Sequence, residues 1–375
     1  MSKAGIENRL GQIRKSRGIA ASDLARRVNV NRQTIYAIEA GTYVPNTEVA
    51  LHLARELEVT VDDLFSLSSL SANTPEALTA EVLSAAVPGA GQPVRICQVG
   101  TRWVGVPVSA TPYYLPEADG VIKRMRRSTE RADLVVVEKG DAAHKRLVLA
   151  GCDPAASLLA NMVERITGIE IVSASASSKL ALAWLKDAKV HIAGSHLEDP
   201  GTGEFNVPFV RELFPGEEMI VVTFARWEEG FAVASGNPKQ IRSAGELKGR
   251  GVRLMNRERG SGVRALLDRL LDETGLTPVD VCGYDNVALG HLAAAYAVAS
   301  GQADVCVATR SAAQTFGLDF VPLHQARYDF VMRKRTTELP AAKAFLDMLQ
   351  RATLRRKLEM LAGYETSQTG SQVAC

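Results

Sequence analysis

Residues 29–41 read NVNRQTIYAIEAG, a tight turn followed by one short amphipathic stretch. Asn29 suits the left-handed backbone conformation of a turn. Asn31 suits the N-cap of the next helix, because its side chain can accept a hydrogen bond from a free backbone N–H. Ile35 and Ile38 are spaced to share one face. The stretch therefore predicts a helix with that face buried and with a polar face formed by Arg32, Gln33, Thr34 and Tyr36.

Charge is uneven along the first 65 residues. Residues 1–36 carry eight lysines and arginines against two acids, a local charge of +6. Residues 37–65 carry one arginine against six acids, a local charge of −5. A small domain with one basic side presents an electrostatic face to phosphate groups. We therefore expect this part of the chain to bind nucleic acid.

Apolar stripes place further short helices around the stretch that we quoted. Leu10 and Ile13 mark a helix near residues 6–17, and a second follows at 22–28. Val49 begins the stripe of a fourth helix, and VTVDDLF closes the unit. The pattern predicts five short helices.

The segment 13–65, from IRKSRG to VTVDDLF, resembles the helix-turn-helix domains of the XRE (Cro/λ-repressor) family. The resemblance implies that residues 31–39 form the recognition helix in the DNA major groove. One such domain makes few contacts, so we expect a homodimer or higher homo-oligomer on a double-stranded operator. The chain has Ala20-Ala21 where the family often has Thr-Gln, so the contact made by that glutamine is missing. The implied DNA-binding residues are Arg14, Asn31, Arg32, Gln33, Thr34 and Tyr36.

The whole chain has the composition of a globular protein. Of its 375 residues 46% are hydrophobic and 23% charged, and its net charge is +2. No apolar run approaches the ~20 residues of a spanning helix, and no signal-type segment follows Met1, so we expect a cytoplasmic protein. Scattered cysteines with no CxxC pair indicate reduced thiols. They are Cys97, Cys152, Cys282, Cys306 and Cys375.

Composition and period divide the chain into four segments. Residues 1–66 form the helix-turn-helix domain, and 67–93 form a Ser-, Ala-, Pro- and Gly-rich linker that could contain one helix, with Thr74 as N-cap and Pro75 at its first position. Residues 94–143 are a small β-rich segment. Its basic run KRMRRSTER (123–131) could touch DNA, although a solvated loop is the simpler interpretation.

From residue 144 onward, buried β runs alternate with amphipathic helices. The pattern predicts parallel sheets with helices on both faces, in which ligands collect beyond the carboxyl ends of the strands. Polar loops fall at these ends, and we expect them to converge on one pocket. These loops are 151–157, 175–179, 194–206 and 256–262.

Residues 147–365 resemble the periplasmic-binding-protein type II superfamily, closest to its molybdate-binding-like subgroup found behind DNA-binding domains. The motifs that carry the resemblance include AGCDPAASLL, HIAGSHLEDPGTGEFNVPFV, NRERGSGVRALLD and GYETSQTG. The resemblance implies a two-lobed α/β domain at 144–375, with the chain crossing between lobes near 231–237 and 328–333. The fold class is thus multidomain: an all-α helix-turn-helix domain, a small β segment and a two-lobed α/β sensor domain.

Hydroxyl, N–H and guanidinium donors in the four loops indicate the ligand-binding site. Asp153 and the serines at 177 and 178 would equally serve as helix caps, and the 257–259 charges could be a solvated cluster. No metal site is predicted. The expected ligand-binding residues are Cys152, Asp153, Ser157, Ser177, Ser178, Ser195, His196, Arg259, Ser261, Gly262 and Arg264.

These features predict a DNA-binding transcriptional regulator without a cofactor, whose lobes close on a small effector. The donor-rich loops and the resemblance favour an oxyanion such as molybdate or tungstate, and a small polar metabolite stays open. An alternative is redox or metal sensing by Cys152, which would lie in the mouth of the pocket. An enzyme is the remote alternative. A helix start would depress the thiol pKa of Cys152, but RGSGVR lacks the P-loop lysine and no HExxH or GxSxG motif is present.

Overall fold

The computed structural model divides the chain into two compact units, Met1–Pro75 and Glu76–Cys375. Among the residues that it describes, no helix is long and apolar enough to cross a membrane. Thr74 and Pro75, the expected start of a linker helix, lie outside the described residues. The described residues are 6–67, 76–108, 117–126, 129–137, 142–248 and 251–373.

The first unit is a bundle of short helices around one apolar core. Its central side chains include Leu10, Leu24, Ile35, Ile38 and Leu53, which are all fully buried. The predicted five helices are present among the described residues of this unit. The elements are β1 Ile6–Asn8, α1 Leu10–Ser16, α2 Ala21–Arg27, α3 Arg32–Glu39, α4 Thr47–Glu56, α5 Val61–Leu64 and β2 Phe65–Leu67.

The turn before α3 is built as its sequence predicts. Asn29 has a φ of 53°, in the left-handed region. The side chain of Asn31 accepts a hydrogen bond from the backbone N–H of Thr34 at 2.6 Å and so caps α3. Both local predictions are confirmed. The helix expected near 6–17 was placed too early, because β1 pairs antiparallel with β2 and α1 begins only at Leu10.

Arg14 lies inside this unit rather than on its surface. Its residue exposure is 7%, and its guanidinium donates to both carboxylate oxygens of Glu39, at 2.5 and 3.1 Å, and to the carbonyl of Ile19 at 2.8 Å. These partners occupy the guanidinium on two sides. The expectation that Arg14 contacts DNA is therefore corrected: Arg14 ties α1 to the end of α3.

The second unit begins with a small closed β-barrel. Its strands follow the order β3-β5-β4-β6-β7, and β3 closes the barrel by pairing with β7. Residues 76–82, expected in the linker, are the strand β3, because Ala80 and Val82 alternate into the barrel core. Arg124 and Arg126 of the basic run both pair with Asp133. The strands are β3 Glu76–Val82, β4 Pro93–Val99, β5 Arg102–Pro107, β6 Gly120–Met125 and β7 Arg131–Val136.

The rest of the second unit is a two-lobed α/β domain. We call lobe I the part built on the parallel strands β8, β9 and β10. Its elements are α6 Ala142–Lys145, β8 Leu147–Gly151, α7 Ala156–Thr167, β9 Ile171–Ser175, α8 Ser178–Lys186, β10 Ile192–Ser195 and α9 Val207–Leu213, together with the carboxyl-terminal helices given below.

Lobe II is built on the parallel strands β12, β13 and β14. The helix expected over 287–300 begins only at His291, because Val287–Ala288 pairs with β12. In chain order the remaining elements are β11 Met219–Val233, β12 Leu254–Arg257, α10 Gly262–Glu273, β13 Val287–Ala288, α11 His291–Ala299, β14 Val305–Thr309, α12 Arg310–Thr315, β15 Asp319–Arg333, α13 Pro340–Gln350, α14 Ala352–Glu359, β16 Tyr364–Glu365 and β17 Gln372–Val373.

Two long antiparallel strands, β11 and β15, join the lobes. Their pairing makes the sheet mixed rather than parallel throughout. In lobe I, β15 pairs with β10, and in lobe II, β11 pairs with β14. The crossings between lobes therefore lie at residues 223–230 of β11 and at the facing 322–329 of β15. The first crossing was expected at 231–237, which lies in lobe II. The second was expected at 328–333, which lies mostly in lobe I.

Lobe I is bound to the barrel through buried ion pairs. Arg146, 7% exposed, pairs with Asp119 of the barrel at 2.6 Å and with Glu170 of lobe I at 2.6 Å. It also donates to the carbonyl of Ile96 at 2.8 Å. Arg95 of the barrel pairs with the same Glu170. Buried charges are tolerated when they are paired in this way, so the barrel and lobe I share one polar network.

We predict that Arg14→Ala destabilises the isolated segment Met1–Pro75 by roughly 3 kcal/mol, because it leaves the 13%-exposed Glu39 carboxylate without its partner. The matched control is Arg26→Ala, whose ion pair with Asp23 is exposed at 78% and 46% and should contribute less than about 1 kcal/mol. Urea unfolding followed by circular dichroism measures both. Equal losses in the two variants would contradict the structural role of Arg14.

Candidate functional site: the interlobe cleft

The carboxyl ends of the strands in both lobes face one cleft. A cavity of about 430 Å³ lies there, lined by the loop after β8 and by the start of α11. Its lining includes Cys152 and Asp153 from lobe I, His291 from lobe II, and Tyr328 from the strand that joins them. This volume is within the range of small-ligand sites.

On the lobe I side, three predicted residues come together. The Nδ1 atom of His196 lies 3.1 Å from the Oγ atom of Ser178 and 3.8 Å from the Sγ atom of Cys152. The backbone N–H of His196 also donates to Ser178 Oγ at 3.2 Å. These residues follow β10, begin α8 and follow β8, respectively, so the topology of the parallel strands brings them together.

Asp153 and Ser195 are also buried in this region, and each carries an unpaired oxygen. Asp153 Oδ1 accepts hydrogen bonds from Tyr364 Oη at 2.6 Å and from the N–H of Ala155 at 2.7 Å. Its Oδ2 has no hydrogen-bond partner among the described residues, and neither has the Oγ of the fully buried Ser195. Burial raises the pKa of Asp153 to about 7 against the effect of these hydrogen bonds.

Other expected ligand residues on the two lobes have local roles. Ser157 is exposed and donates to the carbonyl of Pro154. Ser177 caps α8, and Ser261 caps α10. The hydroxyl groups of these three serines are therefore engaged next to their own helices.

On the lobe II side, the buried guanidinium belongs to Arg257. Arg257 is 1% exposed and pairs with Glu258 through Nε at 2.8 Å and through Nη2 at 2.9 Å, which leaves Nη1 without a hydrogen-bond partner among the described residues. Arg259 is exposed. Arg264 donates to the carbonyl of Arg257 at 3.1 Å and stacks on Tyr284 at 4.0 Å. Arg257, rather than the exposed Arg259, therefore supplies a buried guanidinium nitrogen without a hydrogen-bond partner among the described residues, while Arg264 is buried with partners in its own lobe.

The loop before α10 presses against lobe I. The backbone N–H of Lys179 donates to the carbonyl of Gly260 at 3.3 Å. A Cβ placed on Gly262 would lie 2.5 Å from Cδ2 of His196, so only glycine permits this approach. Arg269 of α10 pairs with Glu198 of lobe I at 3.0 Å. These contacts hold the two lobes together over the cleft.

The joining strands supply an aromatic and acidic floor. The fully buried Trp227 ring lies 5.2 Å from the ring of His196 and 5.4 Å from that of His291, and it packs on Tyr328 at 4.9 Å. Its Nε1 donates to Glu229 Oε1 at 3.1 Å, and this oxygen lies 3.4 Å from His196 Nε2 without hydrogen-bond geometry. Burial raises the pKa of Glu229 to about 7.

Burial, rather than a helix dipole, determines the thiol pKa of Cys152 in the cleft. Desolvation raises the pKa of Cys152 to about 12, and the positive charge of Arg257 opposes this only in part. The expected depressed thiol pKa is wrong, because α7 begins four residues later at Ala156 while Sγ is shielded from water. Burial also lowers the pKa of His196 to about 3, so its imidazole is neutral at physiological pH.

Four cleft residues were missed at the sequence level: Arg257, Glu229, Trp227 and His291. Arg257 stands where LMNR ends a strand, so its place before the turn is a signal that the sequence contains. The other three carry no local pattern. Glu229 and Trp227 stand in a polar interruption between two β runs, MIVVTFA and GFAVASG, which in fact form the single strand β11.

The outer surface of α3 is the candidate nucleic-acid interface. Arg32, Gln33 and Tyr36 are exposed, and Arg32 Nη2 donates to Tyr36 Oη at 2.8 Å. The side chains of Asn31 and Thr34 are engaged in the cap of α3, where Thr34 Oγ1 donates to Asn31 Oδ1. The free polar surface of this helix is therefore carried by Arg32, Gln33 and Tyr36.

Known family models match both parts of the chain. Residues 10–64 match the family described as Helix-turn-helix, and residues 160–350 match the family described as PBP superfamily domain. The chain belongs to the PBP superfamily. It is a helix-turn-helix transcriptional regulator whose second part is a PBP-like domain of the ligand-binding kind. The predicted fold class, a helical DNA-binding domain followed by a two-lobed α/β domain, is confirmed.

Similar proteins cover different shares of the chain. The uncharacterised protein YvgK of Bacillus subtilis (strain 168) is 32% identical over 246 residues, which are 66% of this chain and 79% of YvgK. An uncharacterised HTH-type transcriptional regulator of Methanocaldococcus jannaschii is 37% identical over 60 residues, 16% of this chain and 91% of its own. A solved structure described as a phosphate ABC transporter substrate-binding protein from Clostridium perfringens is 12% identical, with a TM-score of 0.45, and covers 59% of this chain and 99% of its own.

We predict that Gly262→Ala prevents the observed approach of the lobes, because the new methyl group would overlap His196. Limited proteolysis and small-angle scattering of the full chain should report a more open second unit. Gly245→Ala in lobe II is the matched control, since its Cβ would meet only Ser243 Oγ at 3.5 Å. Identical scattering profiles for both variants would contradict the contact.

Proposed function

We propose that this regulator changes its affinity for operator DNA when a small polar effector binds in the interlobe cleft. The observation that carries the proposal is a set of buried polar atoms from both lobes with no hydrogen-bond partner among the described residues. Burying such an atom unpaired costs about 1–3 kcal/mol, so a set of them favours a bound partner. The atoms are Asp153 Oδ2, Ser195 Oγ, His196 Nε2 and Arg257 Nη1.

The donors favour an effector that carries a hydrogen-bond acceptor. Arg257 offers a guanidinium edge, and Ser195 offers a hydroxyl group, so an oxygen of the ligand would face them. An oxyanion such as molybdate or tungstate fits these donors. The effector need not be an anion, because Glu258 already compensates the positive charge of Arg257. A small polar metabolite with one carboxylate or carbonyl fits these donors equally.

Coupling to DNA requires that the effector prefer one arrangement of the lobes. A ligand held by Ser195 of lobe I and Arg257 of lobe II favours the closed arrangement by its differential contacts. We propose that the closed and open arrangements differ in operator affinity. We further propose that a homodimer binds the operator, because a single helix-turn-helix domain makes too few base contacts for a specific site.

The effector site is tested by Ser195→Ala. Because this hydroxyl group has no partner among the described residues, its loss should leave the unfolding temperature of the ligand-free protein unchanged or slightly higher. Effector affinity should fall about fivefold to tenfold, as expected for one hydrogen bond. Calorimetric titration with molybdate, tungstate, sulfate, phosphate and a panel of small carboxylates measures it.

Arg259→Ala is the matched control for this titration, because Arg259 is exposed and should leave effector affinity unchanged. Binding that Arg259→Ala weakens and Ser195→Ala does not would contradict the proposed cleft. A complete lack of heat with every probe would exclude the named effector classes.

For the DNA-binding domain, we predict that Arg32→Ala with Gln33→Ala weakens specific operator binding by about 1–3 kcal/mol per lost base contact. The control is Arg55→Ala, which removes one exposed positive charge from α4. Fluorescence anisotropy with duplexes selected by the full-length protein, at fixed salt, compares the three proteins. An unchanged ratio of specific to non-specific affinity in the double variant would remove α3 as the recognition helix.

A further inference from the structure

We propose that Cys152, His196 and His291 form a transition-metal site that bridges the two lobes. Cys152 and His196 belong to lobe I, and His291 begins α11 of lobe II. The metal site follows from the positions of these three side chains. Only its effect on operator binding rests on the function proposed above. The interlobe cleft would then bind a second class of ligand, a divalent transition-metal cation that accepts both sulfur and nitrogen ligands.

The spacing of the three side chains suits one metal ion. One ligand atom from each residue lies within 4.8 Å of the others, and Cys152 Sγ lies 3.8 Å from His196 Nδ1. A tetrahedral zinc ion with ordinary Zn–S and Zn–N bonds needs sulfur and nitrogen atoms roughly 3.6 Å apart. The separation of Cys152 from His196 requires only a small adjustment, and the ligand atom of His291 lies within 4.8 Å of both. The three residues expose 8%, 2% and 1% of their surface, so solvent does not compete with them.

The hydrogen bonding of the histidines is the independent observation that points to a ligand. Neither ring nitrogen of His291 has a hydrogen-bond partner among the described residues, although the side chain is buried. His191 shows the usual solution for a sheltered histidine, because its Nδ1 accepts from the N–H of Val148 at 3.0 Å. A buried imidazole with both nitrogens unpaired is costly, and a metal ion that binds the lone pair satisfies one of the two nitrogens.

The surrounding charges are compatible with a divalent cation. As the Sγ–metal bond forms, the thiol proton leaves to solvent and the sulfur contributes one negative charge. Glu229 Oε1 lies 3.4 Å from His196 Nε2, at the edge of the site. Arg257 is the opposing charge beside Cys152, and its pairing with Glu258 through two nitrogens compensates it. The Cys152 thiolate therefore supplies the negative charge that faces the ion.

The chemistry of the donors selects the metal class. Thiolate and imidazole suit Zn²⁺, Co²⁺, Ni²⁺ and copper, whereas Mg²⁺ and Ca²⁺ prefer oxygen ligands. Three protein ligands leave a fourth position open. Because the ligands come from both lobes, an ion bound by all three requires the closed arrangement.

Titration of the full-length protein with Co²⁺ tests the site. We expect one equivalent to bind and to give visible d–d absorption with a thiolate-to-cobalt charge-transfer band in the near ultraviolet. Zn²⁺ should displace it. Cys152→Ser should abolish the charge-transfer band, and Cys152→Ser and His291→Asn should each weaken Co²⁺ binding more than about 100-fold.

Matched controls keep the site intact. The double variant Cys282→Ser with Cys375→Ser, which retains Cys152, should keep the wild-type spectrum and affinity. His324→Asn should also keep the wild-type spectrum and affinity, because His324 is a half-buried histidine that is not one of the three proposed ligands. If the wild-type protein takes up no Co²⁺, or if Cys152→Ser retains the charge-transfer band, the metal site is overturned. The Co²⁺ spectrum of the wild-type protein tests the metal site even if a variant of one of the three ligand residues fails to fold.

A parallel measurement separates this inference from the proposed function. Operator binding is measured with and without Zn²⁺ in wild type and in Ser195→Ala. Metal binding without any change in operator affinity would leave the site standing and overturn its regulatory effect. No metal binding, together with an organic or oxyanion response that Ser195→Ala weakens, would overturn the metal site and leave the proposed function standing.

Discussion

The antiparallel pairing of β11 with β15 is the constraint on which the two-lobed domain depends. Each strand has 15 residues; β15 pairs with β10 of lobe I, and β11 pairs with β14 of lobe II. Both strands stay paired through the crossing, interrupted only by two bulges at Thr223/Ala225 and Glu229/Gly230. The lobes can therefore approach each other only by bending this ribbon, and the side chains at the bend, Trp227 and Glu229, become the floor of the cleft.

Compensation of buried charge explains how the cleft holds so many ionisable groups. Arg257 is shielded from water, and the pKa of its guanidinium is nonetheless raised, because Glu258 offsets the effect of burial. Burial raises the pKa values of Cys152, Asp153 and Glu229, and the charge of Arg257 opposes this at Cys152 and Glu229 only in part. The cleft thus carries little net charge but contains several hydrogen-bond donors and acceptors without partners among the described residues, as expected of a binding site.

Local physics made much of the fold predictable from the sequence. The cap at Asn31, the left-handed turn at Asn29 and the strands of lobe I follow from side-chain hydrogen bonds and short-range periodicity, and each was placed correctly. The strand β3 was assigned to a linker that could contain a helix, because Thr74-Pro75 resembles a helix start while the alternation that follows has meaning only once a barrel is closed. The crossings were displaced for a similar reason, since pairing partners, and not the sequence of β11 itself, decide which part of a strand belongs to which lobe.

The sequence by itself determined that a basic helix-turn-helix domain precedes an α/β sensor domain, and that Cys152, Ser178 and His196 fall at strand ends and helix starts of one sheet. Only the tertiary structure decided which charges enter the cleft. It buried Arg257 and left Arg259 exposed, and it brought His291 to Cys152 from a different lobe. The reason is physical: periodicity fixes which residues share an element, whereas burial and ligand geometry depend on contacts between residues of different elements, such as Cys152 and His291, that lie far apart in the chain.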